Sequence, residues 1–155
     1  MKVTDIMTHP VITASEDATL EEIAQLMLDK HIGGAPIVDG EGKLTGLITE
    51  SDFAAKEEGF PFSTFRWPQV LGQWLPKEGI EQVYKKSRTM TARNIMTPDV
   101  ITANEDDTLE DVLRLMMEND VHRIPIVRDG KPVGMITRRD LLHLVLKGKL
   151  RESPE

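Results

Sequence analysis

Two copies of the tetrapeptide T-x-x-D are the residues in this sequence best suited to chemistry: Thr49 with Asp52, and Thr137 with Asp140. Each copy lies between an apolar run and a predicted helix, and the spacing favours a capping arrangement that needs no ligand. The same groups could hold a ligand, because free N–H groups at a helix N-terminus attract anions. A carboxylate there can also accept hydrogen bonds from both hydroxyls of a ribose. The residues leave both interpretations open.

A basic pair, His122 and Arg123, precedes a predicted strand in the second half of the chain, where the first half has two glycines. A guanidinium meets phosphate oxygens in pairs, and an imidazole adds a further donor. The alternative is a surface ion pair with Glu118 or Asp120. If the pair binds phosphate, the two halves of the chain contribute unequally to binding.

The elements that must position these residues come from an internal repeat. Ile6-Met7-Thr8 recurs 89 positions later as Ile95-Met96-Thr97, and Gly46-Leu47-Ile48-Thr49 recurs 88 positions later as Gly134-Met135-Ile136-Thr137. Each copy predicts the order strand, helix, strand, strand, helix.

Helix starts and strands are predicted from local patterns. Thr19 and Thr108 are predicted N-caps, each followed three positions later by an acid that completes a capping box. The first strand of each copy is predicted at β-branched runs, Val11–Thr13 in the first copy. The remaining predicted strands are Ala35–Val38, Leu44–Thr49, Ile124–Val127 and Val133–Thr137.

The composition excludes several classes of function. A formal charge of −7 disfavours a nucleic-acid partner, and without cysteine there is no disulfide or thiolate metal site. No apolar run is long enough for a membrane span, and no signal-peptide pattern is visible. The four histidines lack metal-ligand spacing, and no catalytic motif is present. We therefore expect a soluble, cytoplasmic protein that is not an enzyme, with no membrane partner and no metal.

The two copies resemble the cystathionine-β-synthase (CBS) domain family in three features. These are the M-T start, a proline flanked by apolar residues (Pro36 and Pro125), and the ending G-h-h-T-x-x-D, in which h is an apolar residue. The resemblance covers residues 3–55 and 91–146. It implies an α/β fold of tandem CBS repeats, each a small sheet with two helices, packed as one pseudo-twofold Bateman module. It further implies a stand-alone regulatory protein that forms a homodimer, binds adenosine-containing ligands between its repeats, and signals to an unknown regulated protein.

The resemblance also implies which residues bind. Matching Thr and Asp residues in the family hold phosphate and ribose, and a His-Arg pair resembles the one in regulatory subunits of AMP-activated kinases. The expected ligand is AMP, ADP or ATP, with S-adenosylmethionine as another possibility, and no cofactor is required. The stronger site is expected to combine Thr49, Asp52, His122, Arg123, Arg139, Ile12, Ala35 and Ile48. The weaker site is expected to combine Thr137, Asp140, Gly33, Gly34, Ile101, Ile124 and Ile136.

Residues 56–90 belong to neither copy and form an aromatic-rich insert. Six of the seven aromatic residues lie in it, including Trp67 and Trp74, and helices are predicted from Pro68 and over Ile80–Lys86. The insert could pack on its own module or a dimer partner, or it could form an exposed docking surface or ligand lid. The alternative function is therefore a protein–protein interaction or dimerisation module without nucleotide binding. Ion sensing, which occurs in some relatives, is a third possibility.

Overall fold

The computed structural model describes residues 1–53, 85 and 88–151. The chain forms two compact units. Unit 1 contains Met1–Ile12, Gly42–Leu44 and Asp99–Glu155, and unit 2 contains Thr13–Glu41 and Thr45–Pro98. The helix predicted from Pro68 and all six aromatic residues of the insert lie outside the described residues. Of the helix predicted over Ile80–Lys86, only Lys85 is described, and it is helical.

The first three-stranded sheet carries most of unit 2. It has the order β1 (Ala14–Ser15), β2 (Gly34–Val38) and β3 (Leu44–Thr49), with β1 parallel to β2. Helix α1 (Leu20–Asp29) connects β1 to β2, a 3-10 helix (Glu50–Phe53) follows β3, and α2 (Ala92–Ile95) completes the unit. The core of this unit contains Ala14, Ile23, Met27, Ile37, Ile48 and Ala92.

The second sheet, in unit 1, repeats this topology. Its order is β4 (Ala103–Asn104), β5 (Arg123–Arg128) and β6 (Lys131–Thr137), with β4 parallel to β5 and β5 antiparallel to β6. Helix α3 (Leu109–Asn119) connects β4 to β5, and α4 (Arg138–Arg151) follows β6. Its core contains Val3, Ala103, Val112, Met116, Ile124, Ile126 and Ile136. The mixed α/β class expected from the sequence is confirmed.

Both helix starts follow the predicted capping boxes. The Thr19 hydroxyl accepts from the backbone N–H of Glu22 at 3.2 Å, and the Glu22 carboxylate accepts from the N–H of Thr19 at 2.8 Å. Thr108 and Asp111 repeat the exchange, each bond measuring 3.2 Å. These reciprocal bonds satisfy N–H groups that the first turn of a helix cannot pair internally.

The prediction of a strand at Val11–Thr13 is wrong, because the strand begins immediately after these residues and covers Ala14–Ser15. Its parallel partner decides the position, since Ala14 is the first residue with a register partner, Ile37. A β-branched run favours a strand only where a neighbouring strand is available to pair with it.

The segment at the start of each repeat packs with the rest of the other repeat. We call residues 1–8 the first lead and residues 90–97 the second lead. The first lead lies in unit 1, where the N–H of Val3 donates to the carbonyl of Asp107 at 3.1 Å. The second lies in unit 2, where the N–H of Ala92 donates to the carbonyl of Ala18 at 2.9 Å. The repeats have therefore exchanged their leads.

Each lead ends on the outer edge of a sheet. Thr8 pairs with Met135 of β6, its N–H donating to the Met135 carbonyl at 2.9 Å and its carbonyl accepting at 3.1 Å. Thr97 pairs with Leu47 of β3 through two bonds of 3.0 Å. The leads thereby satisfy backbone groups of edge strands that would otherwise be left unpaired.

Candidate ligand-binding residues

In unit 2, β3 ends at Thr49 and the 3-10 helix begins at once. The Asp52 carboxylate accepts from the backbone N–H of Thr49 at 2.8 Å, and the Thr49 and Ser51 hydroxyls are hydrogen-bonded at 2.8 Å. The N–H of Glu50 donates to the carbonyl of Gly33 at 3.0 Å, which ties this junction to the residue before β2. The carboxylate is thus held at the end of the sheet.

In unit 1, the corresponding junction joins β6 to α4. The Asp140 carboxylate accepts from the Thr137 backbone N–H at 2.7 Å and from the Thr137 hydroxyl at 3.1 Å. The N–H of Arg138 donates to the carbonyl of His122 at 3.2 Å, and Arg123 is the register partner of Thr137 across the sheet. The junctions of the two units are therefore built alike.

These bonds fit the capping interpretation of T-x-x-D. In each junction the acid binds the backbone N–H of the Thr three residues earlier, as a capping box requires. The carboxylates consequently have a structural role in the absence of any ligand. A ligand role needs additional support from the surrounding side chains.

That support comes from a group of basic side chains in unit 1, which we call the basic cluster: His122, Arg123, Arg138 and Arg139. Within the described residues, none of the four side chains forms a hydrogen bond or ion pair. The surface pair with Glu118 or Asp120, considered from the sequence, is not formed there. Arg138 was missed by the sequence analysis, although its place inside T-R-R-D beside Arg139 was a sufficient signal.

Three arginines outside the basic cluster, Arg93, Arg114 and Arg128, are paired with acids in the described part of the chain. Arg93 contacts Glu16 at 2.7 Å and Asp17 at 3.0 Å, and Arg128 is bonded through its Nε to Glu105 at 2.5 Å. The hydrogen bond from Arg128 lowers the pKa of the Glu105 carboxyl. In a chain of net charge −7, the basic cluster brings four side chains without an acidic partner among the described residues to one junction.

The apolar candidates divide by burial. Ala35, Ile48, Ile124 and Ile136 are fully buried in the cores, whereas Ile12 and Ile101 are partly exposed. The side chains of the buried four are fully enclosed by the protein. Their place in the sequence pattern is explained by packing.

The residues of each predicted site are distributed over both units. For the stronger site, unit 2 holds Thr49, Asp52, Ala35 and Ile48, and unit 1 holds His122, Arg123, Arg139 and Ile12. For the weaker site, unit 1 holds Thr137, Asp140, Ile101, Ile124 and Ile136, and unit 2 holds Gly33 and Gly34. Within unit 1, the structure brings the basic pair next to Thr137. The composition of the two sites stays a prediction.

In the described part of the chain, no group of three or more His, Asp or Glu side chains is arranged to hold a metal ion. No helix in those same residues is long and apolar enough to cross a membrane.

Known proteins are similar to this chain in sequence along most of its length. The uncharacterized protein MJ1426 of Methanocaldococcus jannaschii is 32% identical over 157 residues, covering 94% of this chain and 92% of its own length. Two other relatives from that organism are longer, and this chain spans 42% of the length of each.

Two solved structures superpose on the chain. The CBS domain of a CBS domain containing membrane protein from Sphaerobacter thermophilus is 42% identical, with a TM-score of 0.73 and coverage of 93% of this chain and 87% of its own. The CBS domain pair of protein MJ0100, in complex with 5′-methylthioadenosine and S-adenosyl-L-methionine, is 29% identical, with a TM-score of 0.69. The match covers 96% of this chain and 98% of that one.

The sequence profile of the CBS domain matches residues 3–58 and 92–147, which together make up most of the chain. Both matched segments contain the T-x-x-D junction described above. The chain belongs to the CBS domain family, as a pair of CBS repeats.

Proposed function

We propose that this chain is a regulatory module that binds an adenosine-containing ligand carrying phosphate, of the AMP, ADP or ATP class, and that it is not a catalyst. The observation that carries the proposal is the basic cluster without acidic partners among the described residues. In a chain of negative net charge, such side chains are available to an anion.

The basic cluster suits phosphate in particular. Each guanidinium offers a planar set of N–H donors that can bond two phosphate oxygens at once, and charge-assisted bonds of this kind are the strong ones. Arg123 lies beside Thr137 in the sheet, and Arg138 and Arg139 open the first turn of α4. The N-terminal end of α4 adds the positive end of its dipole to the same region.

The two junction carboxylates suit a ribose. Asp52 and Asp140 are held by backbone bonds in repeat-equivalent positions, so a vicinal diol would meet an acceptor that is already oriented. Both ligands in the MJ0100 complex, 5′-methylthioadenosine and S-adenosyl-L-methionine, contain adenosine and lack phosphate. That relative supports the adenosine part of the proposal, and the basic cluster supports the phosphate part.

The proposal is tested by calorimetric titration with AMP, ADP, ATP and S-adenosylmethionine. Arg123→Ala is expected to weaken nucleotide binding by about tenfold or more, since a hydrogen bond to a charged group contributes about 1.5–3 kcal/mol. Arg128→Ala is the matched control for the loss of charge. Arg128 lies on the same strand as Arg123, but it is paired with Glu105 and does not belong to the basic cluster. No binding of any of the four compounds at millimolar concentration would overturn the proposal.

We further propose that the chain forms a homodimer through α4 and signals through a partner that binds the dimer. Leu142, Val145 and Leu146 lie at helical spacing on α4 and expose 66%, 61% and 58% of their surface. Exposed apolar side chains grouped in this way are typical of protein interfaces. Light scattering should show a dimer that Leu142→Glu with Val145→Glu converts to a monomer. A monomeric unmodified chain would overturn this part alone.

A further inference from the structure

The Asp140 carboxylate joins two parts of unit 1 that are far apart in sequence. Its Oδ2 atom accepts from the backbone N–H and from the hydroxyl of Thr137, at 2.7 and 3.1 Å. Its Oδ1 atom accepts from the hydroxyl of Thr8, at 3.4 Å. The first lead therefore touches the same carboxylate that the proposed function assigns to a ribose.

Acceptor positions on this carboxylate are limited. A carboxylate offers about four lone-pair positions, two on each oxygen. Within the described residues, Thr137 occupies both positions of Oδ2 and Thr8 occupies one of Oδ1. One position is left, whereas a ribose that binds through both hydroxyls needs two. One protein donor must therefore leave before the diol can bind in full.

Thr8 is the donor that leaves most easily. Its bond is the longest of the three, and its side chain is exposed, whereas Thr137 is fixed by its place at the start of α4. The backbone of Thr8 is held separately by its two bonds to Met135. The hydroxyl can consequently rotate away while the lead stays paired with β6.

We infer that Thr8 is a specificity-determining residue that competes with a ligand diol for Asp140. This inference rests on the proposed function, because it requires a ribose at Asp140. Loss of the Thr8 hydroxyl should strengthen the binding of ligands that have both ribose hydroxyls. It should leave ligands that have only one of them unchanged.

The test compares AMP with 2′-deoxy-AMP in an Asp52→Ala background, which leaves Asp140 as the junction carboxylate available to ribose. Thr8→Val keeps the shape of the side chain and removes the hydroxyl, and Thr8→Ser retains the hydroxyl. By calorimetry, Thr8→Val is expected to bind AMP about two- to tenfold more tightly, the range for one hydrogen bond. The affinity of Thr8→Val for 2′-deoxy-AMP should equal that of the Asp52→Ala chain. The affinities of Thr8→Ser for AMP and for 2′-deoxy-AMP should both equal those of the Asp52→Ala chain.

The outcomes separate this inference from the proposed function. Equal or weaker AMP binding by Thr8→Val, with the Asp52→Ala chain still binding AMP, overturns the competition and leaves the proposed function standing. Equal gains for AMP and 2′-deoxy-AMP also overturn it, since the diol would then be irrelevant. Loss of AMP binding in the Asp52→Ala chain, with the unmodified chain still binding AMP, also overturns the inference, because Asp140 would then hold no ribose. Only absence of binding of all four compounds by the unmodified chain overturns the proposed function as well. If Thr8→Val unfolds at a lower temperature, Thr8→Ala replaces it in the same comparison.

Discussion

Met96 packs against the α-carbon of Gly46, and one repeat later Met7 packs against Gly134 in the same way. A Cβ added to Gly46 would lie 2.7 Å from Met96 Cγ, and one added to Gly134 would lie 2.9 Å from Met7 Cγ. The Met of each lead and the Gly of each G-h-h-T-x-x-D ending are thus two halves of one contact. Because the leads are exchanged, each contact joins motifs from different repeats.

Gly46→Ala is expected to lower the free energy of unfolding by about 1–3 kcal/mol, because the added methyl group overpacks the contact with Met96. Urea titration measures the change. Met96→Ala in the same chain should restore part of the loss, since the smaller side chain makes room for the methyl group.

Gly40→Ala is the matched control for Gly46→Ala, because a Cβ at Gly40 would meet no atom within 4 Å. It should leave the unfolding midpoint unchanged or slightly raised. A loss at Gly40 as large as the loss at Gly46 would contradict the packing argument.

Val3→Ala is expected to cost about 2 kcal/mol, because Val3 is fully buried in the core of unit 1 although it belongs to the first lead. Thr4→Ala, one residue later and exposed, should be nearly neutral. Both are measured by urea unfolding, and a neutral Val3→Ala would mean that the first lead contributes nothing to unit 1.

Stability should fall in acid partly through Asp111. Hydrogen bonds from the hydroxyl and backbone of Thr108 lower the pKa of the Asp111 carboxyl below its ordinary value. The unfolded chain then binds this proton at higher pH than the folded chain does. The resulting stabilisation is present above the ordinary pKa of Asp and is lost as the pH falls through the lowered folded value.

Asp111→Asn is therefore expected to destabilise the protein at neutral pH and to reduce the acid dependence of the urea midpoint. Glu110→Gln, in the same helical turn, serves as the control because the Glu110 carboxylate forms no hydrogen bond in the part of the chain that is described. An unchanged acid dependence in Asp111→Asn would contradict the assignment.

His31→Gly is expected to raise the free energy of unfolding by about 1 kcal/mol. His31 follows α1 with a φ of 53°, a left-handed conformation that costs a side chain energy and that Gly adopts freely. The N–H of Ile32 donates to the carbonyl of Met27 at 3.0 Å, closing the helix in the way that usually employs Gly. Lys30→Gly, at a right-handed position, should not stabilise. Thermal unfolding distinguishes the two.

Local rules predicted much of this fold. The capping boxes at Thr19 and Thr108 depend on residues three positions apart, and β3 runs over Leu44–Thr49 as its apolar pattern indicated. The strand at Ala14 could not be placed by propensity, because its position depends on a partner 23 residues later. Short-range chemistry was readable from the sequence, and pairing over longer distances was not.

The exchange of leads was not predictable from the sequence for a related reason. Both leads carry Ile-Met-Thr, and both repeats present a glycine to receive the methionine, so either pairing satisfies the same local chemistry. At the candidate site, T-x-x-D and the His-Arg pair were recognised, but the contact of Thr8 with Asp140 was not. That contact joins residues 132 positions apart.

The exchange of leads also sets an order of events during synthesis of the chain. All described parts of unit 2 lie between residues 13 and 98, so they are available once Pro98 has left the ribosome. Unit 1 needs both Val3 and Met135, and closing so long a loop carries a larger entropic cost and slows folding. Val3 therefore stays uncovered by its native neighbours until the strand that contains Met135 has been made.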